Sequence, residues 1–156
     1  MDFDVLGRVL EALESRGVKY AIFGAVALGL HGLLRNTEDL DIFIAPETSN
    51  IGQMKAALRE VFDDPEIDGI TAEDLLGDCP AVRYTPPTGS FYLDILTRLG
   101  EAFAFADLET ERVPYGNLTV TVVTPRMLYK MKKDTVRGKD RIDADALRRT
   151  FNLEPD

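Results

Sequence analysis

The chain has 156 residues, a net charge of -9, one cysteine and one histidine. That length suits one domain built around one core, and a hydrophobic content of 45% argues against extensive disorder. Cys79 alone excludes an internal disulfide, the Cys and His count excludes a zinc site of the usual ligand set, and no serine sits in a nucleophile-elbow pattern.

The start, MDFDVLGRVLEALESRG, is acidic and amphipathic and lacks the basic and apolar blocks of a signal peptide. No apolar run reaches the length of a membrane span, so the expectation is a soluble, cytoplasmic protein with no membrane partner. The charge is unevenly spread. Residues 126–149 hold nine Lys or Arg and four Asp, a net +5, which leaves -14 on the rest. An acidic body with a basic C-terminal segment fits a phosphate-bearing substrate approached from one side, and fits a solvated basic helix equally well.

In chain order, residues 4–16 read as a helix with Val5, Leu6, Val9, Leu10 and Leu13 on one stripe and Gly17 as its stop. Residues 18–24 read as a buried strand, followed by a short helix over AVALGLHGL. DLDIFI, residues 39–44, alternates as a strand does. Thr48 or Ser49 is the expected cap of the next helix, whose stripe is Ile51, Met54, Leu58 and Val61. Residues 63–69 read as a polar loop, and Thr71 with Asp74 has capping-box spacing. AVRYT, PPTG and SFYLDIL read as a hairpin, and ETERVPYGNLTVTVV as one or two further strands about a turn at 114–117. Thr124-Pro125 starts a helix, and Asp140 is the expected cap of a last one running to about Phe151. Together these give an α/β (α+β) domain over residues 1–156, a small mixed β-sheet flanked by helices, with a basic helical segment at about 124–151.

Asp39 and Asp41, two apart on a strand, project from one face while Leu40, Ile42 and Ile44 project from the other. Two carboxylates so close repel unless a positive charge lies between them, and magnesium, a hard cation, prefers such oxygens. Gly24-Ala25 sits where a strand passes into a helix, so a phosphate could approach the backbone there. Arg35, Asn36 and Thr37 offer a cation and short donors just before the aspartate strand. Asp94, flanked by Leu93 and Ile95, is out of place unless it is paired, at a strand end or bound to metal. If its strand lies beside residues 39–44, three carboxylates converge and can hold two metals about 3.5–4 Å apart. His31 reads as a packed or surface histidine in preference to a base-stacking one, and Tyr84 and Tyr92 read as sheet-packing residues that could also stack on a base.

The glycine-small pair, the Asp-x-Asp strand about fifteen residues later and the later lone strand aspartate resemble the DNA polymerase β-type nucleotidyltransferase superfamily. The run GAVALGLHGLLRNTEDLDIFI carries most of the likeness. Within the superfamily the chain most resembles small bacterial toxins of the AbiEii and MenT type, whose Lys/Arg-rich segment with a Lys-Asp-x-x-Asp end is similar to Lys130 through Asp143 here. It differs in having Gly24-Ala25 where the family often has Gly-Gly or Gly-Ser.

The resemblance implies a nucleotidyltransferase fold and transfer of a nucleoside monophosphate from an NTP to a hydroxyl acceptor. Asp39, Asp41 and Asp94 would be the catalytic and metal-binding residues for two Mg2+ ions. Gly24, Ala25, Arg35 and Thr37 would bind the nucleotide, with Lys130 or Lys133 on its triphosphate. Lys139, Asp140 and Asp143 could equally form a cap and a local ion pair. The acceptor could be tRNA or another RNA reached through the basic segment, in a toxin with a cognate antitoxin. A small molecule such as an antibiotic is the alternative acceptor, and a non-catalytic binding module is the third reading.

Overall fold

The computed structural model describes residues 1–87, 91–132 and 138–154, with the side chains of 138–140 outside the description. Helix α1 (Phe3–Ser15) starts at Asp2, whose carboxylate accepts from the amides of Asp4 and Val5, and buries Leu6, Val9, Leu10 and Leu13. It stops at Gly17, which takes a φ of 64° that disfavours any side chain. Strand β1 (Tyr20–Phe23) runs directly into helix α2 (Gly24–Leu30), and strand β2 (Asp39–Ile44) returns antiparallel to β1. Helix α3 (Thr48–Val61) packs on α1.

Neither Thr48 nor Ser49 caps α3: Glu47 is the N-cap residue and its side chain makes no cap bond. Long-range contacts fix this helix start instead. The buried amide of Asn50 accepts from the Lys19 amide at 2.7 Å and donates to the carbonyls of Lys19 and Ala45 at 2.9 and 3.1 Å. It thereby ties the helix to the entrance of β1 and the exit of β2.

Residues 65–69 form a 3-10 turn that buries Ile67, so the expected polar loop carries one apolar anchor. Helix α4 (Ala72–Leu76) follows, with Thr71 accepting from the Asp74 amide as its spacing suggests. Strands β3 (Ala81–Tyr84) and β4 (Tyr92–Leu96) form the first expected hairpin. A small ribbon, β5 (Arg98–Leu99) with β6 (Phe103–Ala104), was not foreseen from the pattern, because two-residue strands show no alternation. Strands β7 (Thr110–Tyr115) and β8 (Leu118–Val123) form the second hairpin, whose turn falls at Gly116-Asn117. Pro114 lies inside β7, which is tolerated because β7 is at the sheet edge and owes no amide to an outer neighbour. Helix α5 (Pro125–Lys132) is capped by Thr124, whose hydroxyl accepts from the Met127 amide. Helix α6 (Gly138–Phe151) packs against α5, with its backbone starting two residues ahead of the expected Asp140.

The main sheet has the order β3-β4-β2-β1-β8-β7. It is mixed: β2 runs parallel to β4 and β1 parallel to β8, while the other neighbours are antiparallel. One apolar cluster runs through the helices and the sheet, and Leu40, Ile42, Ile44, Leu93 and Ile95 are fully buried in it. Among the described residues no helix is long and apolar enough to cross a membrane.

Replacing Asn50 with Ala leaves two carbonyls and one amide without their partner in a buried place, which costs about 2 kcal/mol. Urea unfolding of Asn50→Ala should show that loss as a lower midpoint with an unchanged slope.

Candidate active site

The strand pairing brings the predicted carboxylates together. In the parallel register of β2 and β4, Asp41 lies opposite Asp94 and Asp39 opposite Tyr92. Cross-strand neighbours project from the same face, so Asp39, Asp41 and Asp94 share one side of the sheet while the alternate residues fill the core. On the far side of β4, Arg83 of β3 lies opposite Asp94. Its guanidinium donates from Nε to Asp94 Oδ1 at 2.8 Å and from Nη2 to Oδ2 at 3.0 Å. The same Nη2 is 3.6 Å from Asp39 Oδ2, and the guanidinium stands 4.9 Å over the Tyr92 ring.

These residues form one wall of a cleft of about 680 Å3. Gly24 and Ala25 line it at the start of α2, Thr37 at the approach to β2, and Leu128 and Lys132 of α5 lie on it together with Asp143 of α6. Gly24 has a φ of 69°, and a Cβ built there would meet Asp41 Oδ2 at 2.1 Å. The glycine is therefore required twice, for its backbone conformation and for the room it leaves to a carboxylate. The Thr37 hydroxyl accepts from the Asp39 amide at 3.0 Å and fixes the entry of β2.

Burial first, then the neighbouring Asp94 through its charge and a hydrogen bond, then Asp39, push the Asp41 carboxyl up to about 7; the Lys132 ammonium works against them. Two like charges held together partly discharge by keeping a proton. Among the described residues no group of three or more His, Cys, Asp or Glu side chains, as they stand, is arranged to hold a metal ion. The donor set is nonetheless the one a hard divalent cation takes: carboxylates on a common face, one of them pushed up by burial and by its neighbours, beside a backbone cleared of side chain at Gly24.

The nucleotide-binding candidates divide. Gly24, Ala25 and Thr37 line the cleft. Arg35 does not; its Nε donates to Asp143 Oδ1 at 2.7 Å and it lines a neighbouring apolar pocket instead. Lys130 is exposed on α5 and is not among the cleft residues, and Lys133 lies outside the described residues. The lysine at the cleft is Lys132, whose Nζ is 3.4 Å from Asp143 Oδ2. Asp143 is 2% exposed, and its Oδ2 has no hydrogen-bond partner among the described residues. It serves as the counter-charge to both Arg35 and Lys132. Helical spacing alone did not separate Lys132 from its neighbours. Arg83 was missed as well, because its place opposite Asp94 depends on the register of β3 with β4.

His31 is a packing residue. Its Nε2–H donates to the Val123 carbonyl at 2.8 Å, its Nδ1 faces Glu111 at 3.4 Å, and its ring meets Phe151 edge-on. Tyr84 is buried, with its hydroxyl on Asp64 at 2.7 Å.

No protein-family model matches the chain, and no curated protein matches it. Solved structures do. The lincosamide antibiotic adenylyltransferase LnuA, solved with lincomycin, aligns with a TM-score of 0.63 at 14% identity over 93% of this chain and 95% of its own. ANT(2'')-Ia, solved with adenylyl-2''-tobramycin, gives 0.58 at 13% over 95% and 88%. TM1012 from Thermotoga maritima, a candidate nucleotidyltransferase, gives 0.57 at 14% over 96% and 92%. The chain therefore has the nucleotidyltransferase fold.

Two outcomes follow from this geometry. The raised Asp41 carboxyl favours the folded, metal-free protein fully below the unfolded carboxyl value of 3.8, and that contribution is lost as pH rises through about 7. The Asp41 contribution should thus make the melting temperature of metal-free protein fall between about pH 4 and about pH 7 and level off above that, and Asp41→Asn should flatten that slope when both are melted across the range. Gly24→Ala forces both a left-handed backbone on alanine, worth about 1–2 kcal/mol, and a displacement of Asp41. It should lose divalent-cation binding, read by titration calorimetry, even where it still folds.

Proposed function

We propose that the protein is a metal-dependent nucleotidyltransferase that moves a nucleoside monophosphate from an NTP to a hydroxyl acceptor. The observation that carries this reading is the in-register pairing of β2 with β4, which gathers Asp39, Asp41 and Asp94 on the wall of one cleft. The fold shared with adenylyltransferases supports it.

Asp39, Asp41 and Asp94 are the residues that would hold two Mg2+ ions. Bound there, the ions would stabilise the attacking and leaving oxygens of an in-line displacement. The remaining work belongs to the chain. The backbone of Gly24 and Ala25, bare of bulky side chains, accepts the approach of the triphosphate. Lys132, anchored by Asp143, neutralises phosphate charge in the same cleft. This is the role expected from sequence of Lys130 or Lys133. Thr37 holds the backbone of Asp39, and Arg35 contributes through Asp143. Asp94 takes the proton of the acceptor hydroxyl, whose oxygen attacks the α-phosphorus as pyrophosphate leaves.

A small hydroxylated, cationic molecule is the acceptor we favour. The cleft is of small-molecule size and lined by carboxylates, which attract cations. LnuA and ANT(2'')-Ia, which match over almost their whole length, are respectively a lincosamide adenylyltransferase and a protein solved with an adenylylated tobramycin. A second reading, an RNA such as tRNA as acceptor in a toxin restrained by an antitoxin, draws on the basic segment at 126–149. Part of that charge is spent within the protein: Arg126 pairs with Glu109, and Lys132 with Asp143. Lys130 and Arg149 are exposed there.

Incubation with each α-labelled NTP and magnesium, against a panel of aminoglycosides and lincosamides and against total tRNA, tests both readings. Label on a small molecule with wild type, and none with Asp39→Ala/Asp41→Ala, is the expected result. Label on tRNA alone would replace the first acceptor with the second. Metal-dependent NTP binding that survives the double substitution would overturn the nucleotidyltransferase reading and leave a binding module.

A further inference from the structure

The carboxylate that would serve as both metal ligand and proton acceptor is already taken. Both oxygens of Asp94 are engaged by the forked guanidinium of Arg83, and the same group lies 3.6 Å from Asp39 Oδ2. A carboxylate held in this bidentate way offers a metal only its remaining lone pairs, in a direction shared with a positive charge. Arg83 comes from β3, the outermost strand of the sheet, and its side chain is 54% exposed, so it has room to move without disturbing the core. Its guanidinium stands over the Tyr92 ring, whose electron-rich face gives the cation a second contact beside the carboxylates.

We infer that Arg83 is an internal counter-cation that holds Asp94 and steadies the carboxylate cluster in the metal-free protein, and that a divalent ion must displace it to complete the site. This inference rests on the two-metal reading of Asp39, Asp41 and Asp94. Arg83 is thus a positioning residue. It keeps Asp94 extended toward the cleft while no metal is present, and it sets a threshold that the arriving ion has to exceed. Displacement frees the Asp94 oxygens for the ion and for the acceptor proton. The released guanidinium stays on the rim of the cleft, where an incoming phosphate is the nearest partner of opposite charge.

The direct test is an NMR titration with diamagnetic Mg2+ in the presence of a non-hydrolysable NTP, watching the arginine Nε–Hε signals. The Arg83 signal is assigned by its disappearance in Arg83→Lys. It should move over the same Mg2+ range as the backbone amides of β2 and β4, because the Nε–H bond to Asp94 is lost as the ion binds. A signal that stays fixed while those amides saturate would overturn the inference.

The second measurement is Mn2+ binding by titration calorimetry on the same nucleotide complex. Arg83→Gln should bind about threefold more tightly than wild type, the scale expected for removing one exposed pair. Arg83→Lys, which keeps the charge but not the fork, should fall between them, and Asp94→Asn should bind more weakly. Affinity in Arg83→Gln that is equal to or below wild type would overturn the inference, provided Asp41→Asn still abolishes binding. If Asp41→Asn binds Mn2+ as wild type does, the two-metal reading itself fails, and the displacement goes with it.

Discussion

The pairing of β2 with β4 in parallel register sets Asp41 beside Asp94, and the rest of the site answers the repulsion this creates. At an effective dielectric of about 20, two carboxylates ~5 Å apart repel by about 3 kcal/mol. A solvated guanidinium such as Arg83 offsets only part of that, because water screens it. Burial, first, and then the neighbouring Asp94 and Asp39 push the Asp41 carboxyl up to about 7. A carboxyl that keeps its proton near neutrality has an unmet demand for positive charge. The Lys132 ammonium works against the shift without cancelling it.

The same logic operates a second time behind the site. Asp143 is buried, and a buried carboxylate is tolerable only when paired. Its partners, Arg35 from the loop before β2 and Lys132 from the end of α5, lie far apart in sequence, so one anion ties α6, α5 and that loop together. The basic segment is consequently not a uniform cationic surface. Part of its charge closes ion pairs with groups elsewhere in the chain, Arg126 with Glu109 and Asp143 with Arg35.

The sequence was most legible where one rule acts locally. Alternation in DLDIFI placed Asp39 and Asp41 on one face, and the apolar neighbours of Asp94 marked it as exceptional; both are met in the structure. The Thr124-Pro125 helix start and the Thr71 cap obeyed capping chemistry alone. Misreadings came where partners are distant in the chain. Asn50, not Thr48 or Ser49, organises the start of α3, because its partners are Lys19 and Ala45. Lys130 and Lys132 lie two apart on one helix and so face different ways, Lys130 outward and Lys132 toward Asp143. Arg83 becomes visible only when strand register is known, because nothing in AVRYT says which residue it faces.

Similarity of fold at 13–14% identity does not by itself carry chemistry. The site has to do so, and its energetics are the stronger argument. A scaffold has no use for three carboxylates on one sheet face. They lower stability, they require a glycine at position 24 where any Cβ would strike Asp41, and they require Arg83 and a retained proton to hold them together. Replacing Asp41 with an uncharged residue of similar size would relieve the repulsion, though not the crowding against position 24. Clusters that destabilise the protein they sit in are characteristic of places where binding a ligand restores the balance. Here the missing charge is positive, compact and compatible with oxygen ligands, and the cleft in front of it has room for a nucleotide's phosphates.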